Sequence, residues 1–180
     1  MTSVSSEIAV RAAARADFGA ITDIYADHVR SGTASFELDP PDIAEMRRRW
    51  RDVRKHGQPY LVAIVAGVIA GYAYAGRYRP RPAYRFTVED SIYVHADAMG
   101  RGIGRALLTA LIRDCERAGA RQMLAIIGDS GNAASIRLHA AAGFGPAGKL
   151  ESVGYKFGRW LDVVIMQRAL GAGAATPPRD

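Results

Sequence analysis

Apolar residues recur along the chain in blocks whose spacing switches between the strand and helix periods. Residues 8–12 form a short run suited to a first strand. Ile21, Ile24, Tyr25 and Val29 then repeat at helical spacing, with Asp17 placed ahead of them as a cap. Asp42 followed by Glu45 has the form of a capping box, and Ile43, Met46, Trp50 and Val53 supply a second buried stripe that residues 57–59 end. Residues 60–65 and 68–75 predict a hairpin around the tight Ala66-Gly67 turn. Residues 86–94 predict a central strand, with Thr87, Glu89, Ser91 and Tyr93 on one face and Val88, Ile92 and Val94 on the other. A helix carrying Ile103, Leu107, Leu108, Leu111 and Ile112 follows and stops at Gly119. Residues 123–127 make a short apolar strand, and Asn132 caps a helix that Gly143 ends. Residues 150–160, rich in glycine and aromatics, read as a connection with bends, and residues 162–170 have the composition of a last strand.

Without an internal repeat, 180 residues are most economically one domain, spanning residues 8–170 between flexible tails at 1–7 and 171–180. A 49% hydrophobic and 23% charged composition excludes a disordered chain. No apolar run approaches the roughly 18 residues of a membrane span, and the first residues lack a basic start with an apolar core. A cytoplasmic protein without a membrane partner is expected. The sole cysteine, Cys115, falls in step with the apolar face of its helix and reads as core rather than nucleophile. His28, His56 and His95 have no metal-ligand spacing, so no metal is expected.

The net charge of +6 favours anionic partners. Arg47, Arg48, Arg49, Arg51, Arg54 and Lys55 lie on a predicted helix and read as a solvated face, with nucleic-acid binding the weaker alternative. Arg77, Arg79, Arg81 and Arg85 lie instead in a loop whose prolines forbid ladder pairing. Guanidinium forks beside Tyr78 and Tyr84 suit a substrate with a carboxylate and an apolar body, against the plainer reading of an exposed basic loop. Residues 31–39, with Phe36 and Glu37, either line a site or connect two helices.

The sharpest signal is the glycine turn between the central strand and its helix. Gly100, Gly102 and Gly104 leave backbone N–H groups uncovered, as an anion cradle requires. A dinucleotide-binding turn needs a further glycine three residues after the second, where this chain has Arg105 or Leu107, and no Gly-Lys-Ser or Gly-Lys-Thr follows for a P-loop. The run Met99-Gly100-Arg101-Gly102-Ile103-Gly104 resembles instead the acetyl-CoA loop of the Gcn5-related N-acetyltransferases (GNAT), departing from it at Met99, where that family has Gln or Arg. TASFE, RPRPAYR, TVEDSIYV, NAASIRLH and VGYKFGRWLD, spread across residues 10–170, narrow the resemblance to the phosphinothricin and methionine sulfoximine N-acetyltransferases.

That resemblance implies an α/β acyl-CoA N-acyltransferase fold whose mixed, mostly antiparallel sheet is flanked by helices and splays beside the cofactor. It implies acetyl transfer from acetyl-CoA to the α-amino group of a small amino acid or herbicide-like analogue. It further implies a homodimer with the VGYKFGRW region near the neighbour's substrate site. Cofactor contacts are implied at Ile92, Tyr93 and Val94, at Gly100, Arg101, Gly102, Ile103, Gly104 and Arg105, and at Asn132 and Ser135. The Val94 N–H is the implied oxyanion donor, at a strand bulge. Glu89 is the implied general base, against the reading of a structural carboxylate paired with a nearby arginine. His139 stands two helical turns after Asn132 on the same face and resembles an assisting histidine, or is structural. Arg79 and Arg85 are the implied carboxylate ligands, with Phe36, Tyr78 and Tyr84 around the side chain. Such a loop disfavours polycationic acceptors. A general acid stays open, since Phe144 stands where the family offers a tyrosine, leaving Tyr155, a water or unassisted departure of the thiolate. An acetyltransferase for a peptide N-terminus or lysine, and a non-catalytic acetyl-CoA-binding module, are the alternatives.

Overall fold

Ile8–Ala12 (β1), Tyr60–Val65 (β2), Val68–Arg77 (β3), Thr87–Val94 (β4), Gln122–Gly128 (β5), Gly145–Lys156 (β6) and Arg159–Ala169 (β7) form one sheet in the computed structural model, which describes residues 7–178. The order is β1-β2-β3-β4-β5-β7-β6, and only β4 and β5 run parallel. Helices Phe18–Ser31 (α1), Ile43–Lys55 (α2), Ile103–Arg117 (α3) and Ala133–Ala141 (α4) flank it. This is the mixed, mostly antiparallel α/β architecture expected. Among the described residues no helix is long and apolar enough to cross a membrane.

Alternation along the strands builds a different core on each face. On one side, Phe18, Ile21, Ile24, Val29 and Met46 pack on Tyr60, Val62, Tyr72 and Tyr93. On the other, Ile103, Leu107, Leu108 and Leu111 of α3 pack on Ala63, Ala73, Ala75 and Val88. The alanines set α3 close to the sheet: a Cβ at Gly71 would lie 3.2 Å from the Ile103 side chain. Cys115 belongs to this second core, fully buried, and burial pushes its thiol up to about 12.

Four expectations are corrected or refined. Asp17 does not cap α1 with its side chain, because it continues a 3-10 turn over Arg15–Asp17. Its carboxylate turns back to accept from Ala14 N at 2.7 Å and from the Arg11 guanidinium at 2.7 and 2.8 Å. Residues 150–160 are not a bent connection but the end of β6, a two-residue turn at Phe157 (φ 52°) and Gly158 (φ 73°), and the start of β7. The β3–β4 register runs without interruption from Gly71↔Val94 to Arg77↔Val88, so β4 carries no bulge against β3; a shift falls one strand over, at Ala63/Ile64 of β2. Of the expected tails, residues 1–6 and 179–180 lie outside the described residues, while 171–174 are turns and 175–178 are bends and irregular chain. There Arg121 donates to the carbonyls of Thr176 (2.9 Å) and Pro177 (3.0 Å).

The arginines of α2 are partly spent within the fold. Arg48 and Arg49 both pair with Glu45, and Arg54 lies 5.6 Å over the Trp50 ring. Exposed helix pairs of this kind are screened by solvent and add little to stability, which fits a solvated face.

Candidate active site

The sheet opens where β4 and β5 stop pairing. Their parallel register runs from Thr87↔Gln122 to Asp90↔Ala125, yet β4 continues to Val94 and β5 to Gly128. Over that stretch β4 keeps β3 and β5 keeps β7, so the two inner edges face a gap. His95 N donates to Ala70 O at 2.9 Å, which makes Gly71↔Val94 a non-hydrogen-bonded position of the β3–β4 ladder. By the ladder's alternation, the N–H groups of Ile92 and Val94 point away from β3, into the gap. The Val94 carbonyl accepts from His28 Nε2 at 2.9 Å.

A cleft of about 460 Å³ passes through this opening. Phe36, Glu37, Tyr74 and Glu89 line it from the α1–α2 face, and Asn132, Ser135 and His139 from the α4 side. Ile92 and Tyr93 also line it, although the Tyr93 ring is held in the tyrosine core, 5.0 Å from Tyr25 and 5.2 Å from Tyr72. The Glu89 carboxyl is raised above its ordinary range by burial and then by the neighbouring Asp90 charge. No arginine among the described residues pairs with it. Glu37 is committed instead, accepting from Tyr25 Oη at 2.8 Å and from Arg49 Nη1 at 2.6 Å.

Across the gap, Asn132 caps α4, its Oδ1 accepting from Ser135 N at 3.2 Å, which leaves its amide NH₂ for a ligand. His139 sits two turns on, with Nε2 2.9 Å from Asp90 Oδ2. Phe144 packs edge-on against the His139 ring at 5.1 Å.

The glycine loop lies at the foot of α3. Gly100 (φ 73°) and Gly102 (φ 84°) are left-handed, conformations costing a side-chain-bearing residue roughly 1–2 kcal/mol. A Cβ at Gly100 would meet no atom within 4 Å, so the loop is open on that side. Gly102 carries no side chain to cap α3, and the helix's first N–H groups have no intrahelical partner. Ile103 is buried, so it offers only backbone, and Gly104 faces Leu138 of α4. Arg101 and Arg105 are exposed, Arg105 along a groove it shares with Thr109, Leu138 and Arg168. Left-handed turns, free helix N–H groups and an opened strand edge together suit a pyrophosphate joined to an amide-bearing arm.

Of the expected acceptor residues, the structure brings only Phe36 into the cleft lining. Tyr78, Arg79, Tyr84 and Arg85 cluster on the loop between β3 and β4, with Arg79 5.0 Å over the Tyr78 ring and Arg85 4.4 Å over Phe86. That loop is rooted at Arg77↔Val88, one residue from Glu89.

Sequence reasoning missed three parts. Asp90 follows Glu89 by one residue and therefore faces the opposite core; a charge in the row Val88, Ile92, Val94 was the available signal. Lys156 is buried, with Nζ donating to the carbonyls of Gly32 (2.9 Å) and Ser35 (2.8 Å), and burial lowers its pKa. It ties residues 32–35 to β6. Gly128 and Gly154 complete that dock, since a Cβ on Gly128 would lie 2.8 Å from the Phe36 ring and one on Gly154 would run into the same ring.

Comparison with known proteins places the chain among acetyltransferases. A family model described as acetyltransferase (GNAT) family matches residues 21–144. The chain is 60% identical to a phosphinothricin N-acetyltransferase of Alcaligenes faecalis, over 90% of this chain and 82% of that one. It is 44% identical to an L-methionine sulfoximine/L-methionine sulfone acetyltransferase of Salmonella typhimurium, over 92% and 96%. A crystal structure of a phosphinothricin acetyltransferase from Sinorhizobium meliloti, in complex with AcCoA, superposes with a TM-score of 0.94 at 46% identity, covering 96% of this chain and 94% of that one.

Proposed function

The chain belongs to the acetyltransferase (GNAT) family and is an acetyl-CoA-dependent N-acetyltransferase, and from that premise we propose that it acetylates the α-amino group of phosphinothricin, methionine sulfoximine or a similar small amino acid. The observation that carries this reading is Glu89. It is a half-buried carboxylate without an arginine partner among the described residues, its pKa is raised, and it lines the same opening toward which the Val94 N–H points. A raised carboxyl is a stronger base than an ordinary one.

When bound, acetyl-CoA supplies an acetyl group as a thioester open to attack by an amine. Gly100, Gly102 and the first N–H groups of α3 hold its pyrophosphate, and the Ile92 N–H and the Asn132 amide hold its arm along β4. Glu89 takes the proton from the acceptor's ammonium, directly or through a water. The Val94 N–H donates to the carbonyl oxygen as charge gathers there, a contribution of about 3–4 kcal/mol where such a donor is removed from other enzymes. His139 assists from α4. Arg79 and Arg85 hold the acceptor carboxylate, and Phe36 with Tyr78 and Tyr84 encloses its side chain. Bidentate forks reward a carboxylate and repel polyamines.

A thiol-release assay with acetyl-CoA tests the substrate class. Turnover is expected with phosphinothricin, methionine sulfoximine or ordinary amino acids. Turnover on a basic peptide alone would overturn the substrate assignment, and acetyl-CoA binding without turnover on any acceptor would overturn the Glu89 role.

The working form is a homodimer. Of the sheet's two edge strands, β1 and β6, the second forms a hairpin with β7 that exposes Leu150, Val153, Tyr155, Phe157 and Trp160, the last 64% exposed. An unpaired strand edge bearing a contiguous apolar patch calls for a partner. Light scattering is expected to give the mass of two chains, and of one for Trp160→Glu; a monomeric unmodified protein would refute the assignment.

A further inference from the structure

We propose that Asp90 is a positioning residue for His139, fixing its imidazole at the neck of the cleft and keeping one proton on the pair between Nε2 and Oδ2. The inference rests on the reading of the cleft as an acetyltransfer site with His139 in it.

The argument begins with the ring's other nitrogen. His139 Nδ1 lies 2.8 Å from the Ser135 carbonyl oxygen, nearer than the Ser135 hydroxyl at 3.4 Å. A carbonyl oxygen only accepts, so Nδ1 carries hydrogen. A neutral ring with hydrogen on Nδ1 would then turn the bare Nε2 lone pair onto Asp90 Oδ2, only 2.9 Å away. Two lone pairs do not share that distance without a proton between them. The pair is therefore imidazolium with carboxylate, or imidazole with carboxylic acid. Either way it is net neutral and holds a dissociable proton.

Burial makes this state persistent. The Asp90 and His139 side chains are 2% and 5% exposed, so removing the proton would leave a bare charge with little water to answer it. The opposing desolvation of the imidazolium is outweighed by the Asp90 hydrogen bond and charge, and the His139 pKa moves up. Few other groups compete. Of the titratable residues around Asp90, Glu89 lies beside it on β4 and faces the other side of the sheet, and Cys115 on α3 is held as a neutral thiol. Its pairing neighbours are Ala75 on β3 and Ala125 on β5.

Position gives the pair its use. Asp90↔Ala125 is the last paired position before β4 and β5 part, and both Asp90 and His139 line the cleft. Asp90 Oδ1 is buried there without a partner among the described residues, the arrangement of a group that serves a site rather than one that completes a core network. The cleft thus holds a carboxylate without a partner among the described residues on one face and a proton-loaded pair on the other, one residue apart along β4. A candidate proton acceptor and a proton-holding pair standing this close supply the two kinds of group that acid–base chemistry uses.

Ring ¹⁵N shifts of His139, assigned by their loss in His139→Gln, test this in the free protein. The expected result is a ring that keeps a proton at both nitrogens, or shares one with Asp90, well above the ordinary histidine range. In Asp90→Asn the His139 titration is expected to fall by about 1–2 pH units, and the alkaline limb of kcat/KM to fall with it. Asp90→Asn also removes a charge beside Glu89, so the acid limb moves the same way; the ring shifts separate the two effects. A His139 titration unchanged by Asp90→Asn overturns the proposal. A titration that moves while the alkaline limb stays upholds Asp90 as positioning residue and overturns catalytic use of His139. Should Asp90→Asn fail to fold, the unmodified protein decides: an ordinary histidine titration, ending in a ring with one N–H, overturns the proposal.

Discussion

Glu89→Gln is expected to lower kcat/KM by about 10²–10⁴-fold, the span general-base catalysis usually supplies, while leaving acetyl-CoA affinity unchanged. The side chain lines the cleft without an arginine partner among the described residues, so the isosteric amide removes a proton acceptor and little packing. The pH dependence carries a sign. Burial first, and the Asp90 charge second, raise the Glu89 carboxyl, so activity should climb with pH along a limb displaced above the ordinary carboxylate range. The variant should lose that limb. Stability should move the other way. With the folded pKa above the unfolded one, the unfolded chain binds fewer protons in the window between them, and folding free energy declines as pH rises through it. Above that window Glu89→Gln should melt at a higher temperature than the unmodified protein, and at acid pH the difference should vanish. Full activity with an intact acid limb would remove Glu89 from the mechanism.

Gly128→Ala should cost about 10²-fold in kcat/KM for the acceptor, the scale of an ångström of misplacement in a site, with stability lower by about 1–3 kcal/mol. The added Cβ would stand 2.6 Å from the Thr33 carbonyl oxygen and 2.8 Å from the Phe36 ring. Backbone cannot swing aside as a flexible side chain does, so the segment that carries Phe36 and Glu37 must lift. That segment is also tied by Lys156 and by Thr33 Oγ1 donating to Asp129 at 3.0 Å, which concentrates the strain at Phe36. Gly154→Ala provides the comparison, because the atoms nearest its Cβ all belong to the Phe36 ring and none to backbone. In a Phe36→Ala background the Gly154 effect should largely disappear and the Gly128 effect should persist, a non-additivity that a double-mutant cycle in kcat/KM measures. Equal, additive losses would mean that the glycines do not act through Phe36.

The hairpins show where sequence reading succeeds and where it stops. Ala66-Gly67 and Phe157-Gly158 use the same device, two left-handed residues joining antiparallel strands. The first was legible because β2 and β3 are flanked by buried faces and so carry β-branched and aromatic residues. The second was not, since β6 is exposed along almost its whole length and has no alternation to read. Asp17 illustrates a different limit: its type suits a cap, but a preceding 3-10 turn and Arg11 claim the carboxylate.

The glycine loop, the apolar stripe of α3, the face on which Glu89 sits and the Asn132 cap were all determined by sequence alone. Each depends on neighbours a few residues away, through periodicity, left-handed backbone or capping, and local chemistry suffices for those. Tertiary structure decided the rest. The gap exists because β4 and β5, 35 positions apart in register (Asp90↔Ala125), cease to pair. The Asp90–His139 pair joins groups 49 residues apart, and the Lys156 tie to Ser35 spans 121. No local pattern encodes such meetings, since what selects the partner of a buried charge is the packing of whole elements around it.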